Sequence, residues 1–293
     1  MKNRPVETLD AEDVAFIHGD CVDVLPTLKS ASFDLCLTDP PYPEISRDYG
    51  RMTECNWHAL MRFVVKEVRR LLKPTGSAVF ILQPNSRHVG SMRSWLWDFL
   101  SWVSKEWNVV QDIYWWNPAT PPSVHCNRSN HLLRPSLKYC IWLGPPTCYR
   151  NQDNVLWTQS DANKACDRQD RLLRYKPYGG SMRNGRAASV ADERDGGVTP
   201  FNLLPILHNG TTFEQDGYDH GARTPIKVCE WFIKYLCPSA GNVLDPFSGS
   251  GTVPATALRL GHFATGIEKQ AKYHAVAQRR LANLCKNGEA EDA

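Results

Sequence analysis

Apolar residues at the two ends of this chain fall in short runs separated by amphipathic stretches, and this order is lost in the middle. Val14-Ala15-Phe16-Ile17-His18 reads as a strand, and Cys21 to Leu28 as a helix with Val24, Leu25 and Leu28 on one side. Phe33-Asp34-Leu35-Cys36-Leu37-Thr38 is a second strand, stopped by the prolines of Asp39-Pro40-Pro41-Tyr42. Over residues 57–73, Leu60, Phe63, Val64, Val68, Leu71 and Leu72 recur at helical spacing until Pro74-Thr75-Gly76. Strands are expected at 77–82, 109–116 and 137–143, with a Trp-rich helix at 91–105 between the first two. After residue 215 the alternation returns: a helix at 224–236, a strand at 242–244, a helix at about 253–260, a strand at 263–267 and a last helix at about 271–284. Strands alternating with helices predict an α/β fold, a mostly parallel sheet covered on both faces.

The stretch 145–215 has few apolar runs and many Asn, Arg, Asp and Gly. It divides the chain into segments 1–144, 145–215 and 216–293. With 42% hydrophobic and 22% charged residues among 293, the chain is an ordinary globular one. Lys and Arg total 34 against 31 Asp and Glu, so the net charge of +3 gives no whole-chain argument for nucleic acid, and any such argument is local. Ten scattered Cys without a CxxC pair suit a reducing cytoplasm rather than a disulfide scaffold or a metal site. No apolar run is long enough to span a membrane.

Two turns carry candidate chemistry. Asp245-Pro246-Phe247-Ser248-Gly249-Ser250-Gly251-Thr252 follows a strand and opens a helix, and its glycines allow a tight turn and close approach to a ligand. Glu268 ends the next strand, 23 positions after Asp245, near the spacing at which an acid meets ribose hydroxyls. The turn holds no Lys, so it is no GxxxxGK[ST] phosphate loop, and the acid at its start suits a cationic ligand. In the second turn, Asp39-Pro40-Pro41-Tyr42, prolines free the Pro40 carbonyl from any strand ladder. A carboxylate, a carbonyl and an aromatic ring then stand at the carboxyl end of the sheet, a set that grips a planar heterocycle bearing an exocyclic amine. Taken singly, each turn could also be structural only.

Together, DPPY first and FSGSG last resemble the S-adenosylmethionine-dependent DNA amino-methyltransferases, and the motif order resembles their β class. His18-Gly19-Asp20-Cys21 matches that family's element ahead of DPPY. His220-Gly221-Ala222-Arg223-Thr224-Pro225 stands where the family has His-Pro-x-x-Lys-Pro and departs from it at Gly221 and Thr224. Tyr139-Cys140-Ile141-Trp142-Leu143 resembles the strand before the target-recognition region. The resemblance implies a Rossmann-like class I methyltransferase with a seven-stranded sheet and circularly permuted motifs. Segments 1–144 and 216–293 would be the catalytic domain, and 145–215 an inserted target-recognition region. It implies catalytic Asp39, Pro40, Pro41 and Tyr42. Cofactor contacts would come from Asp20, Cys21, Asp39, Arg223, Thr224, Pro225, Asp245, Pro246, Phe247, Ser248, Gly249, Ser250, Gly251, Thr252, Glu268 and Lys269. The cofactor is S-adenosylmethionine, with no metal.

The implied reaction methylates the N6 amine of an adenine flipped out of double-stranded DNA, in a bacterial or phage cytoplasm. Asp in DPPY favours adenine; cytosine-N4 methylation is the alternative, and a non-catalytic DNA-binding relative or an RNA or protein-glutamine methyltransferase are further ones. Seven basic residues, Lys164, Arg168, Arg171, Arg174, Lys176, Arg183 and Arg186, against Asp167 and Asp170, make 164–186 the candidate DNA contact. Six Trp within 95–116 suggest core or subunit packing, and a homodimer is expected. A restriction endonuclease partner is compatible with the resemblance.

Overall fold

The computed structural model describes residues 14–46, 50–157, 199–207 and 224–290. The chain divides into two compact units, Met1–Arg150 with Asn202–Ala293, and Asn151–Phe201. In the smaller unit, Asn151 caps a 3-10 turn at Gln152–Val155, and Trp157 meets Phe201 edge-on at 5.2 Å.

The larger unit is built on one sheet. Its strands are β1 (Val14–His18), β2 (Phe33–Thr38), β3 (Leu72–Leu82), β6 (Val109–Trp116), β7 (Leu137–Leu143), β8 (Leu203–Pro205), β9 (Asn242–Asp245) and β10 (Phe263–Glu268). A separate hairpin is made by β4 (Ser86–His88) and β5 (Ser91–Met92). The sheet order is β1-β10-β9-β2-β3-β7-β6-β8; β1 through β3 run parallel, and β7 is antiparallel to both its neighbours. The chain is a class I methyltransferase-like α/β fold. The sheet has eight strands where seven are expected, because the short Leu203–Pro205 segment adds in parallel to the outer edge of β6.

Period-two alternation sorts the strand side chains into two cores. Cys36, Ala78, Phe80, Leu82 and Leu244 face helices α2 (Glu54–Leu71) and α3 (Trp95–Glu106). Leu35, Leu37, Val79, Ile81 and Val243 face α4 (Ile226–Leu236) and α5 (Thr252–Arg259). A short α1 (Cys21–Val24) follows β1, and α6 (Ala271–Ala290) closes the chain. The strand predicted at 77–82 begins at Leu72: Phe33 pairs with Leu72, the register shifts, and pairing resumes at Leu35 with Ser77. Pro74 sits in this irregularity, where its missing N–H breaks no ladder bond. The Trp-rich helix starts at Trp95 rather than Ser91, because residues 86–92 form the hairpin. Six of the eight described cysteines are buried. Among the described residues no helix is long and apolar enough to cross a membrane.

Candidate active site

The parallel strands β1, β10, β9, β2 and β3 end at the same edge of the sheet. So does β6, whose partner β7 starts there. A cavity of about 870 Å³ runs along this edge, lined by the DPPY turn, the glycine turn and the ends of β3, β6 and β7. This is where ligands bind in open α/β folds.

The DPPY turn is held from behind. Trp57 of α2 is fully buried, donates its indole N–H to the Pro41 carbonyl at 2.6 Å, and packs edge-on against Trp95 and Phe99. The Tyr42 ring stacks on Trp95, with centroids 6.1 Å apart. Among the described residues the Pro40 carbonyl accepts no hydrogen bond. Among the described residues three side chains meet the Asp39 carboxylate: Tyr42 Oη donates to Oδ1 at 2.5 Å, while Lys138 Nζ, at 2.7 Å, and Thr224 Oγ1, at 3.0 Å, share Oδ2. The Lys138 ammonium also stands 5.4 Å from the Tyr42 ring centroid and 5.0 Å from that of Trp115. Lys138 escapes sequence reasoning, since it is one charged residue at the start of an apolar strand and its partner lies 99 positions away.

The two turns are joined at their roots. Thr38, the last residue of β2, donates its hydroxyl to Asp245 Oδ1 at 2.7 Å, and the Phe247 N–H meets the same oxygen at 3.1 Å. Burial pushes the Asp245 carboxyl up from 3.8 to about 7; those two bonds oppose the shift, and Asp39 and Glu268 add to it. Glu268 Oε2 accepts the Gly249 N–H at 2.9 Å and Oε1 the Gln270 N–H at 2.6 Å. Its carboxyl is raised by burial, which outweighs these bonds. Gly251 caps α5 with φ +75°, and a Cβ there would stand 2.7 Å from the Phe16 ring, so both conformation and space require glycine. Gly249 also has a positive φ, +52°, but nothing lies within 4 Å of where its Cβ would be.

Asp20 caps α1 by accepting the Val22 N–H, and pairs with Lys269 Nζ at 2.7 Å. Burial alone would raise its carboxyl, but these partners bring it below the ordinary value. The neighbouring Cys21 thiol is pushed up to about 12 by burial and by Asp20, which disfavours the thiolate.

The cavity thus gathers Asp20, Cys21, Asp39, Pro40, Pro41, Tyr42, Thr224, Asp245, Pro246, Phe247, Ser248, Gly249, Ser250, Thr252, Glu268 and Lys269. Two sequence candidates are set back from it. Pro225 caps α4, and Gly251 packs against Phe16 and Ala277. Arg223 and the basic set Lys164, Arg168, Arg171, Arg174, Lys176, Arg183 and Arg186 lie outside the described residues. Of the six Trp expected in the core or at a subunit contact, Trp95, Trp107 and Trp115 are buried, Trp102 is half-buried, and Trp97 and Trp116 are exposed.

A family model described as DNA methylase, for the N6/N4 methyltransferases, matches residues 33–279. The chain belongs to this family. It is a DNA methyltransferase of the N6/N4 type. Among curated relatives, the type II methyltransferase M.ScaI of Streptomyces caespitosus is 26% identical, over 93% of this chain and 82% of that protein. M.PvuII of Proteus hauseri is 24% identical, over 90% and 82%. The solved PvuII DNA methyltransferase, described as cytosine-N4-specific, superposes with a TM-score of 0.71 at 20% identity, covering 98% of this chain and 94% of that one. A putative DNA modification methylase of Thermus thermophilus, solved with S-adenosyl-L-methionine, gives a TM-score of 0.54 at 19% identity, covering 92% and 95%. At these identities the structural likeness concerns the fold.

Proposed function

We propose that this methyltransferase transfers a methyl group from S-adenosylmethionine to the N6 amine of an adenine everted from double-stranded DNA. The observation that carries the reading is one cavity shared by the Asp39-to-Tyr42 turn and the Asp245-to-Thr252 turn.

The glycine-turn end of the cavity suits the cofactor. The Ser248 hydroxyl is buried and has no hydrogen-bond partner among the described residues, which a bound ligand would remedy. Space beside Gly249 is open. Each Glu268 oxygen keeps a second lone pair for a ribose hydroxyl. With Asp20 offset by Lys269, Asp245 and Glu268 when ionised give this end of the cavity a negative balance suited to a sulfonium. When bound, S-adenosylmethionine supplies an electrophilic methyl group.

At the other end, the Asp39 carboxylate and the Pro40 carbonyl accept the two hydrogens of an exocyclic amine in this reading, which the lack of a hydrogen bond to the Pro40 carbonyl among the described residues supports. This draws the nitrogen toward tetrahedral geometry and aims its lone pair away from the ring. Tyr42, braced by Trp95, offers a face for the base, and such stacking contributes roughly 1–3 kcal/mol. That offsets part of the few kcal/mol needed to unstack a paired base. No residue forms a covalent bond to the base; the effect is one of positioning and electrostatics. Lys138 and Thr224 hold Asp39 from the side, and Trp57 fixes the turn from behind. Asp rather than Ser at position 39 favours adenine, whereas the likeness to the cytosine-N4-specific PvuII enzyme favours cytosine N4 as a second reading. Incubation of unmethylated DNA with enzyme and cofactor, then nucleoside mass spectrometry, separates them. N6-methyladenine is expected. N4-methylcytosine would select the second reading, and neither product would refute both.

A further inference from the structure

The connection between β6 and β7, residues 117–136, plays no part in that reading, although Asn117, Thr120, Pro121, Pro135 and Ser136 from its two ends line the cavity. The glycine turn and Glu268 follow β9 and β10 at one end of the edge, and DPPY follows β2 in the middle. The β6–β7 connection therefore leaves the sheet at the far end, where Thr120 and Pro135 line the wall. Its twenty residues contain two Arg and two His and no Asp or Glu. The loop is closed on itself by Arg134, which donates to the Thr120 carbonyl at 3.0 Å, and is tied to the end of β3 by Gln83, which donates to the Pro135 carbonyl at 2.9 Å. Yet its apolar side chains are not buried by this folding. Leu133, two residues from Pro135, is 90% exposed, and Val124 is 78% exposed. A braced, acid-free loop that holds a leucine out into solvent, two residues from the cavity wall, suits an outside partner with negative charge and an apolar interior. Duplex DNA has both, in its phosphates and its stacked bases.

We propose that the 117–136 loop is a DNA-contacting surface, distinct from the basic 164–186 segment, with Arg128 on backbone phosphate and Leu133 against the base stack beside the everted nucleotide. Apolar wedges of this kind open base steps in other DNA-binding proteins. The proposal rests on the DNA reading of the cavity and adds where the duplex lies relative to it.

Two solvent-exposed substitutions test it without threatening the fold. Affinity for a fluorescein-labelled duplex of mixed sequence is measured across a salt series for the wild type, Arg128→Ala and Leu133→Ala. Methyl incorporation into unmethylated amplified duplex is measured alongside. Arg128→Ala is expected to reduce the slope of log affinity against log salt by about 1, the loss of one phosphate contact. Leu133→Ala is expected to keep that slope and to lower methyl incorporation into duplex by about 10-fold, because unstacking loses its wedge. Wild-type slope in Arg128→Ala together with wild-type incorporation in Leu133→Ala would overturn the proposal while leaving the catalytic reading intact. A wild type that binds duplex through Arg128 but transfers no methyl group would do the reverse.

Discussion

Asp245 offers a quantitative test. Its carboxyl is buried in the sheet edge and pushed up from 3.8 to about 7. A carboxyl raised on folding contributes stability that is fully present below its unfolded value and is lost as pH rises through the folded one. The loss thus falls between about pH 4 and pH 7, at roughly 1.4 kcal/mol per pH unit. A shift of about three units corresponds to about 4 kcal/mol, and most of it, about 3 kcal/mol, falls between about pH 5 and pH 8. Asp245→Asn keeps the oxygen that accepts from Thr38 and Phe247 but cannot ionise. In urea unfolding without cofactor, the stability of the variant relative to wild type should therefore climb by about 3 kcal/mol from pH 5 to pH 8. Above pH 7, where the wild-type carboxylate is ionised, the variant's affinity for S-adenosylmethionine should fall, because a negative charge at the cofactor end of the cavity is gone. Parallel pH profiles for the two proteins would refute the burial argument. Unchanged cofactor affinity would refute the electrostatic role.

Other perturbations separate the parts of the cavity. Lys138→Met removes the ammonium from Asp39 Oδ2 and should lower kcat about 10-fold to 100-fold through loss of alignment, with cofactor affinity by calorimetry retained and partial rescue in Lys138→Arg; an unchanged kcat argues against that role. Gly251→Ala imposes a left-handed φ on a side chain that also meets Phe16, and should cost about 2–4 kcal/mol in chemical unfolding. Gly249→Ala meets no neighbour, so it should cost only about 1 kcal/mol in stability while weakening the cofactor by filling its space. Similar stability losses in the two glycine variants would contradict the distinction between them.

What could be read from the sequence was local. DPPY, the glycine turn and Glu268 are short motifs at strand ends, and the apolar runs that precede them mark β2, β9 and β10 within a residue or two. What could not be read depends on long-range packing. Lys138 reaches Asp39 only because β7 lies antiparallel beside β3, and Thr38 meets Asp245 across 207 residues only because β2 and β9 are neighbours. The same holds for the Trp-rich segment, whose composition does not say that Trp95 buttresses Tyr42. The Pro- and Asn-rich loop at 117–136 has no periodicity at all, and its place at the cavity wall follows from sheet order.

The central claim is that Asp39 works on the substrate amine in a cavity whose other end holds the cofactor. Asp39→Ala, followed by tritiated-methyl transfer to unmethylated DNA and by calorimetric titration with S-adenosylmethionine, tests it most directly. Loss of transfer with cofactor affinity close to wild type is the expected result. Transfer at the wild-type rate in that variant would contradict it.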